Sequence, residues 1–108
     1  QAQRVRSRIS REFNQVFQEV NVVALPTAPR TAWPISETDS AVPVDVHNLR
    51  APFDMTGMPA ITVPCGFSSA GLPIGLQIAG RPFDEATIFR VAYAYEKQTK
   101  WTKEHPSF

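Results

Sequence analysis

An α/β fold, a small mixed sheet built on an antiparallel hairpin and flanked by helices, follows from three observations on the sequence. Residues 60–67 and 72–79 each alternate apolar and small or polar side chains with period two around a Ser-Ser-Ala-Gly connection, the pattern of a β-hairpin. Val5, Ile9, Phe13, Val16, Phe17 and Val20 recur every three or four residues, which predicts a helix over about residues 2–19. Ile88, Phe89, Val91, Ala92 and Tyr95 mark the core stripe of a second helix within residues 83–105. A chain of 108 residues accommodates one small domain, taken as residues 1–108.

The first helix is in phase almost from Gln1, with no capping residue ahead of it, so the sequence reads as a fragment of something longer. Arg4, Arg6, Arg8 and Arg11 form its solvated flank, with Arg8 four residues before Glu12. Val22 to Leu25 is a continuous apolar run, expected to be a strand buried on both faces and ended by Pro26 and Pro29. From Thr27 to Val44 the chain is rich in Pro, Thr, Ser and acidic residues without periodicity, which predicts a long surface loop anchored by Trp33. Residues 46–55 suit a short helix, either interrupted by Pro52 near its middle or starting there with Pro52 at the first helical position. All five glycines lie between Phe53 and Arg81, where the hairpin has two unlike faces. Ile61, Val63 and Cys65 should meet Ile74, Leu76 and Ile78 on one face. The other carries Ala60, Thr62, Gly75, Gln77 and Ala79, small enough for another backbone to approach. After Arg81-Pro82-Phe83, Asp84 is placed as the N-cap of the second helix, Glu85 and Glu96 on its solvent side, and Lys97, Lys100 and Lys103 towards its C-terminal end. Trp101 should tuck back before His105. The expected core is Ile61, Val63, Ile74, Leu76, Ile78, Ile88 and Val91.

Composition narrows the function classes. Eleven basic and ten acidic side chains leave a net charge of +1, too small to steer a polyanion, so direct nucleic-acid binding gains no support. No apolar run approaches the roughly 20 residues that span a bilayer. The single cysteine, Cys65, has no internal disulfide partner and fits a reducing, cytoplasmic compartment. His47 and His105 stand apart from each other and from any cluster of ligating residues, which argues against a metal cofactor.

The run from Asp54 to Gly66 (DMTGMPAITVPCG), followed by Gly71 to Gln77 (GLPIGLQ), resembles the C-terminal signature of the amidase signature family. Ala24 to Pro29 (ALPTAP) is similar to that family's strand ending in Pro-Thr-x-Pro, and Asp84-Glu85 to its following helix. The family includes bacterial amidases, fatty-acid amide hydrolases and the A subunit of the amidotransferase that converts glutamyl-tRNA to glutaminyl-tRNA. Two departures stand out: Asp54 where asparagine is commoner, and Asn21 where aspartate commonly opens the strand.

The resemblance implies hydrolysis or transfer at a carboxamide by a nucleophilic serine, a second serine in a cis peptide arrangement and a lysine base. Those motifs belong to the family's earlier half, so this chain is expected to hold no catalytic residue and to be inactive alone. Ser68 and Ser69 sit at the hairpin tip, where serine serves turn geometry. In the amidotransferase the segment matching residues 45–50 comes close to the substrate, and an acidic residue there reads the amino group of glutamine. Here His47 falls near that place, which weakens a glutamine-specific reading and leaves an ordinary surface histidine as the alternative. His47 and Asn48 are therefore the candidate substrate-lining residues.

Two functions follow. In the first, the chain is the C-terminal part of an amidase acting on a small-molecule amide, partnered by the N-terminal part of the same enzyme and without a cofactor. In the second it is a stand-alone α/β interaction module that binds through its flat hairpin face. An upstream Gly-Ser-rich segment and lysine would discriminate the two. Free amidase and tRNA-linked amidotransferase both stay open, and the fragment reading predicts that the isolated chain self-associates.

Overall fold

The computed structural model describes residues 1–34 and 48–105. Along the chain run α1 (Ala2–Glu19), β1 (Val22–Pro26), α2 (Ala51–Thr56), β2 (Ala60–Phe67), β3 (Pro73–Gly80) and α3 (Glu85–Gln98), closed by a single 3-10 turn at Trp101–Lys103. Residues 35–44 of the expected loop, and His47, lie outside the described residues.

The strands are ordered β1-β3-β2, and both pairings are antiparallel, so among the described residues the sheet is not of the mixed kind expected. The hairpin partner β3 is central, with Val23 opposite Ala79 on one side and Ile61 opposite Ile78 on the other. Period-two alternation along β3 feeds two layers. Val63 and Ile78 pack against Ile88 and Ala92 of α3, surrounded by Val22, Ile61, Leu76, Val91 and Tyr95. On the opposite side Ala79 is covered by Phe17 of α1, Phe53 of α2 and Met58, with Phe13, Val23 and Leu25 around them. Burying a side chain such as Ile78 stabilises this sandwich by about 1.5–3 kcal/mol.

Several expectations change. Ile74 is 37% exposed rather than core, because the ladder shifts between Pro64 and Gly66 and leaves Cys65 as the extra residue of a bulge. Gly66, not Cys65, therefore stands opposite Ile74. Phe89 is 60% exposed. At about 100° per residue it lies a quarter-turn from Ile88, whereas Val91, Ala92 and Tyr95 fall within about 60° of it and face the sheet. β1 is an edge strand here, with Ala24 open to solvent, instead of a strand buried on both faces. Trp33 contacts the Arg30 guanidinium at 4.3 Å and stays exposed, so it does not anchor its loop in the core. Asp84 occupies the N-cap position of α3 without a side-chain capping bond.

Other expectations hold. Trp101 does tuck back, its ring meeting Phe67 edge-on at 6.2 Å. Of the α1 stripe only Phe17 is fully buried, while Val5 and Val16 stay exposed. The free carbonyls at its C-terminus are met from across the chain. Arg81 donates to Phe17 O at 3.0 Å and Val20 O at 3.4 Å, placing a positive charge where the helix dipole is negative.

Candidate functional site

Three successive positions on the α1/α2 side of β3 hold three different segments. Ala79 sits under Phe17 and Phe53 in the core. Gln77, only 4% exposed, donates from Nε2 to the carbonyl of Leu49 at 3.2 Å. Gly75 accepts the backbone N–H of Thr27 at 2.9 Å. A β-carbon at Gly75 would lie 2.7 Å from Thr62 Cγ2 and 2.8 Å from Thr27 Oγ1, so a side chain there would displace the loop. The Thr27 and Thr62 hydroxyls close this junction at 3.1 Å. The approach expected at the flat hairpin face is therefore made by the chain's own loop. That face is not left wholly open either: Gln77 and Ala79 are buried, while Ala60 and Thr62 remain exposed.

The second pinned segment leads into α2. Asn48 Oδ1 accepts the backbone N–H of Arg50 at 3.1 Å and of Ala51 at 3.2 Å, an Asx-type turn that starts the helix. Ala51 and Pro52 form its first turn, where a missing N–H costs nothing, and Phe53 enters the core. Thr56 Oγ1 donates back to Pro52 O at 2.6 Å, and Gly57 ends the helix at φ 69°. Met58 then donates its N–H to Phe53 O, and Pro59 O accepts the N–H of Gly80 at 3.0 Å. The Thr-Gly-Met-Pro motif is thus a helix stop joined directly to the first residue of β2.

These fixed points shape two clefts that share the segment 27–32 as a wall. One, of about 700 Å³, opens between that segment and Thr62, Pro64, Ile74 and Gly75. Its sides are mostly apolar, with threonine hydroxyls at one end. The other, of about 410 Å³, lies between the same segment and Asn48, Leu49 and Arg50, with Arg30 and Arg50 supplying positive charge. Such a pair of surfaces can hold an acyl chain and orient a polar group.

Of the two residues singled out from the sequence, Asn48 lines the second cleft and His47 lies outside the described residues. Ser68 is engaged in the hairpin turn: its N–H donates to Leu72 O at 2.8 Å, and its Oγ accepts the Leu72 N–H at 3.2 Å. Among the described residues no side-chain hydrogen bond joins a serine, threonine or cysteine to a lysine or histidine, and no group of three metal-ligating residues occurs. No helix among them is long and apolar enough to cross a membrane. Gln77 organises the site and escapes a reading based on periodicity, although a lone carboxamide inside an apolar strand is a signal of a buried hydrogen bond.

The Amidase family model matches residues 1–89. The chain is 47% identical over 107 residues to the A subunit of the glutamyl-tRNA(Gln) amidotransferase of Chloroflexus aggregans, an alignment covering 97% of the chain and 22% of that protein. It is 46% identical over 98 residues to the protein of the same name in Brevibacillus brevis, covering 89% of the chain and 20% of the relative. The chain thus spans about a fifth of the length of these curated relatives. Among solved structures, the A subunit of the glutamyl-tRNA(Gln) amidotransferase of Thermotoga maritima superposes with a TM-score of 0.76 at 37% identity, over 89% of this chain and 21% of that one. A 6-aminohexanoate cyclic dimer hydrolase complexed with substrate gives 0.77 at 26% identity, over 91% and 23%.

Proposed function

The chain belongs to the amidase family, and from that premise we propose that it is the C-terminal portion of a cytoplasmic enzyme that hydrolyses or transfers at a carboxamide C–N bond. In this reading the serine, cis-serine and lysine centre comes from the remainder of the polypeptide. This portion completes the sheet and supplies one wall of the pocket for a small-molecule amide, with His47 and Asn48 lining it. The observation that carries the reading is the convergence of two segments, residues 27–32, which open with the end of the family-like Ala24–Pro29 run, and Asn48 to Arg50, on one cleft pinned to β3. With Oδ1 committed to its own turn, Asn48 offers a ligand its Nδ2 hydrogens. Both hydrolase and amidotransferase relatives share the fold, and the acyl group accepted is set by the cleft rather than by the fold.

Ammonia release from simple carboxamides tests the proposal. The full-length enzyme should turn over and residues 1–108 alone should not. Activity of the isolated chain that survives purification and vanishes in Ser68→Ala would place the nucleophile in the hairpin and overturn it. The stand-alone module has one observation in its favour, the aromatic surface of Phe83, Phe89 and Tyr93. An upstream reading frame without a Gly-Ser-rich segment and lysine would select it.

A further inference from the structure

Gln77 is a buried polar side chain in a strand whose neighbours are otherwise small or apolar, and its amide reaches 28 residues back in the sequence to Leu49 O. Nothing about sheet formation requires it. Its position on β3 faces the core side between Gly75 and Ala79, where an apolar residue would complete the packing. A buried carboxamide is kept at low energy only while its hydrogen bonds are made. The carbonyl it meets belongs to the residue following Asn48, inside the short turn whose Arg50 and Ala51 amides point to Asn48 Oδ1. We propose that Gln77 is a positioning residue: it fixes the Asn48–Arg50 turn to the central strand and thereby sets the height of the cleft wall above the substrate's acyl group. The inference rests on the reading of Asn48 as a pocket residue. Gly75 acts alongside it at the facing wall, so one strand holds both walls by two adjacent inward positions, one through a hydrogen bond and one through the absence of a β-carbon.

The chemical consequence concerns selectivity more than rate. Losing the tie frees the wall, so amides with long acyl groups should lose less binding than short ones, while the reacting groups elsewhere stay in place.

Gln77→Met in the full-length enzyme keeps the length and removes the donor. Expected is a rise of about five-fold in KM for a short amide such as propionamide, with kcat within about two-fold and a smaller change for a longer homologue, in keeping with one buried hydrogen bond. Hydrogen exchange at the Arg50 and Ala51 amides should accelerate, while the Gly80 amide, bonded to Pro59 O, stays protected. Gln77→Glu covers a folding failure of the first variant: protonated, its carboxyl donates to Leu49 O, and ionised it cannot. Protection at residues 50 and 51 relative to the unaltered protein should then return as pH is lowered. A uniform loss of protection across β2 and β3, or an equal fall of kcat/KM for all acyl lengths, would reduce Gln77 to a packing residue and overturn the proposal. If Asn48→Ala leaves KM unchanged while exchange at residues 50 and 51 still rises in Gln77→Met, the tie stands and the pocket reading of Asn48 fails. If Asn48→Ala raises KM and Gln77→Met alters neither KM nor exchange, the positioning role fails and the pocket reading stands.

Discussion

At Gly75 the absence of one carbon decides where a loop can lie. Its would-be β-carbon meets Thr62 Cγ2 at 2.7 Å and Thr27 Oγ1 at 2.8 Å, both closer than such contacts normally come. Gly75→Ala should therefore cost about 1–3 kcal/mol through overpacking, measured by urea unfolding. Thr62→Ser removes the nearer atom and keeps the hydroxyl, so it should recover part of that loss in the double variant. Gly57 is a different kind of glycine, with φ 69° and nothing within 4 Å of its missing β-carbon. Gly57→Ala should cost about 1–2 kcal/mol from the backbone alone, and Thr62→Ser should leave that cost untouched. If the serine rescues neither or both, the distinction between the two glycines fails. A glycine inside a strand is visible in the sequence as an invitation to close approach. That Thr27 is the residue that accepts it depends on a contact 48 positions away along the chain, which no local pattern encodes.

Elements behave according to what lies over them. Ile78 is 2% exposed beneath α3, so Ile78→Ala should cost about 2–5 kcal/mol, and Leu76→Ala, half-buried beside it, about 2 kcal/mol. Ile74 stands on the same strand beyond the bulge, and Ile74→Ala should change stability by less than about 0.5 kcal/mol. An Ile74 cost equal to that of Ile78 would mean a ladder without the bulge at Cys65. The two long helices and the hairpin were legible because their apolar residues repeat at 3.6 and at 2 over many positions. The bulge was not, because one extra residue between Pro64 and Gly66 leaves the alternation of types almost unchanged while turning the register. The link from Arg81 to the end of α1 was equally silent, since it joins residues more than 60 apart.

The described part of the molecule is thin. The described structure measures 45 × 39 × 17 Å with a radius of gyration of 16.1 Å, against about 13 Å for a compact chain of about 100 residues. Its accessible surface is 8218 Å², where a folded protein of this mass exposes about 6000 Å². Part of the excess is apolar: Val5 and Val16 on α1, Phe83 at 94% exposure, and Phe89 and Tyr93 on the outer side of α3. Phe83 also holds φ 64°, a conformation rare for a bulky residue. Surface of this kind usually finds a partner or aggregates. The isolated chain should therefore self-associate at micromolar concentration in sedimentation velocity and bind a hydrophobic dye. A clean monomer without dye binding would show the two clusters to be a sufficient core and would favour the stand-alone module.

The sequence by itself determined the class and order of α1, the hairpin and α3, the bounds of α1, and the motifs that resemble the amidase signature, because these depend on residues near one another in the chain; α3 ends at Gln98, so Lys100 and Lys103 lie beyond it rather than in its last turn. Tertiary structure alone decided which strand is central, which half of the flat face is covered, and that Gly75 and Gln77 hold the two walls of one cleft. These turn on partners far apart in the chain, such as Gln77 with Leu49 at 28 residues, Gly75 with Thr27 at 48 and Val22 with Gly80 at 58, where local side-chain periodicity carries no information and the competition between burial and hydrogen bonding across the whole chain settles the outcome.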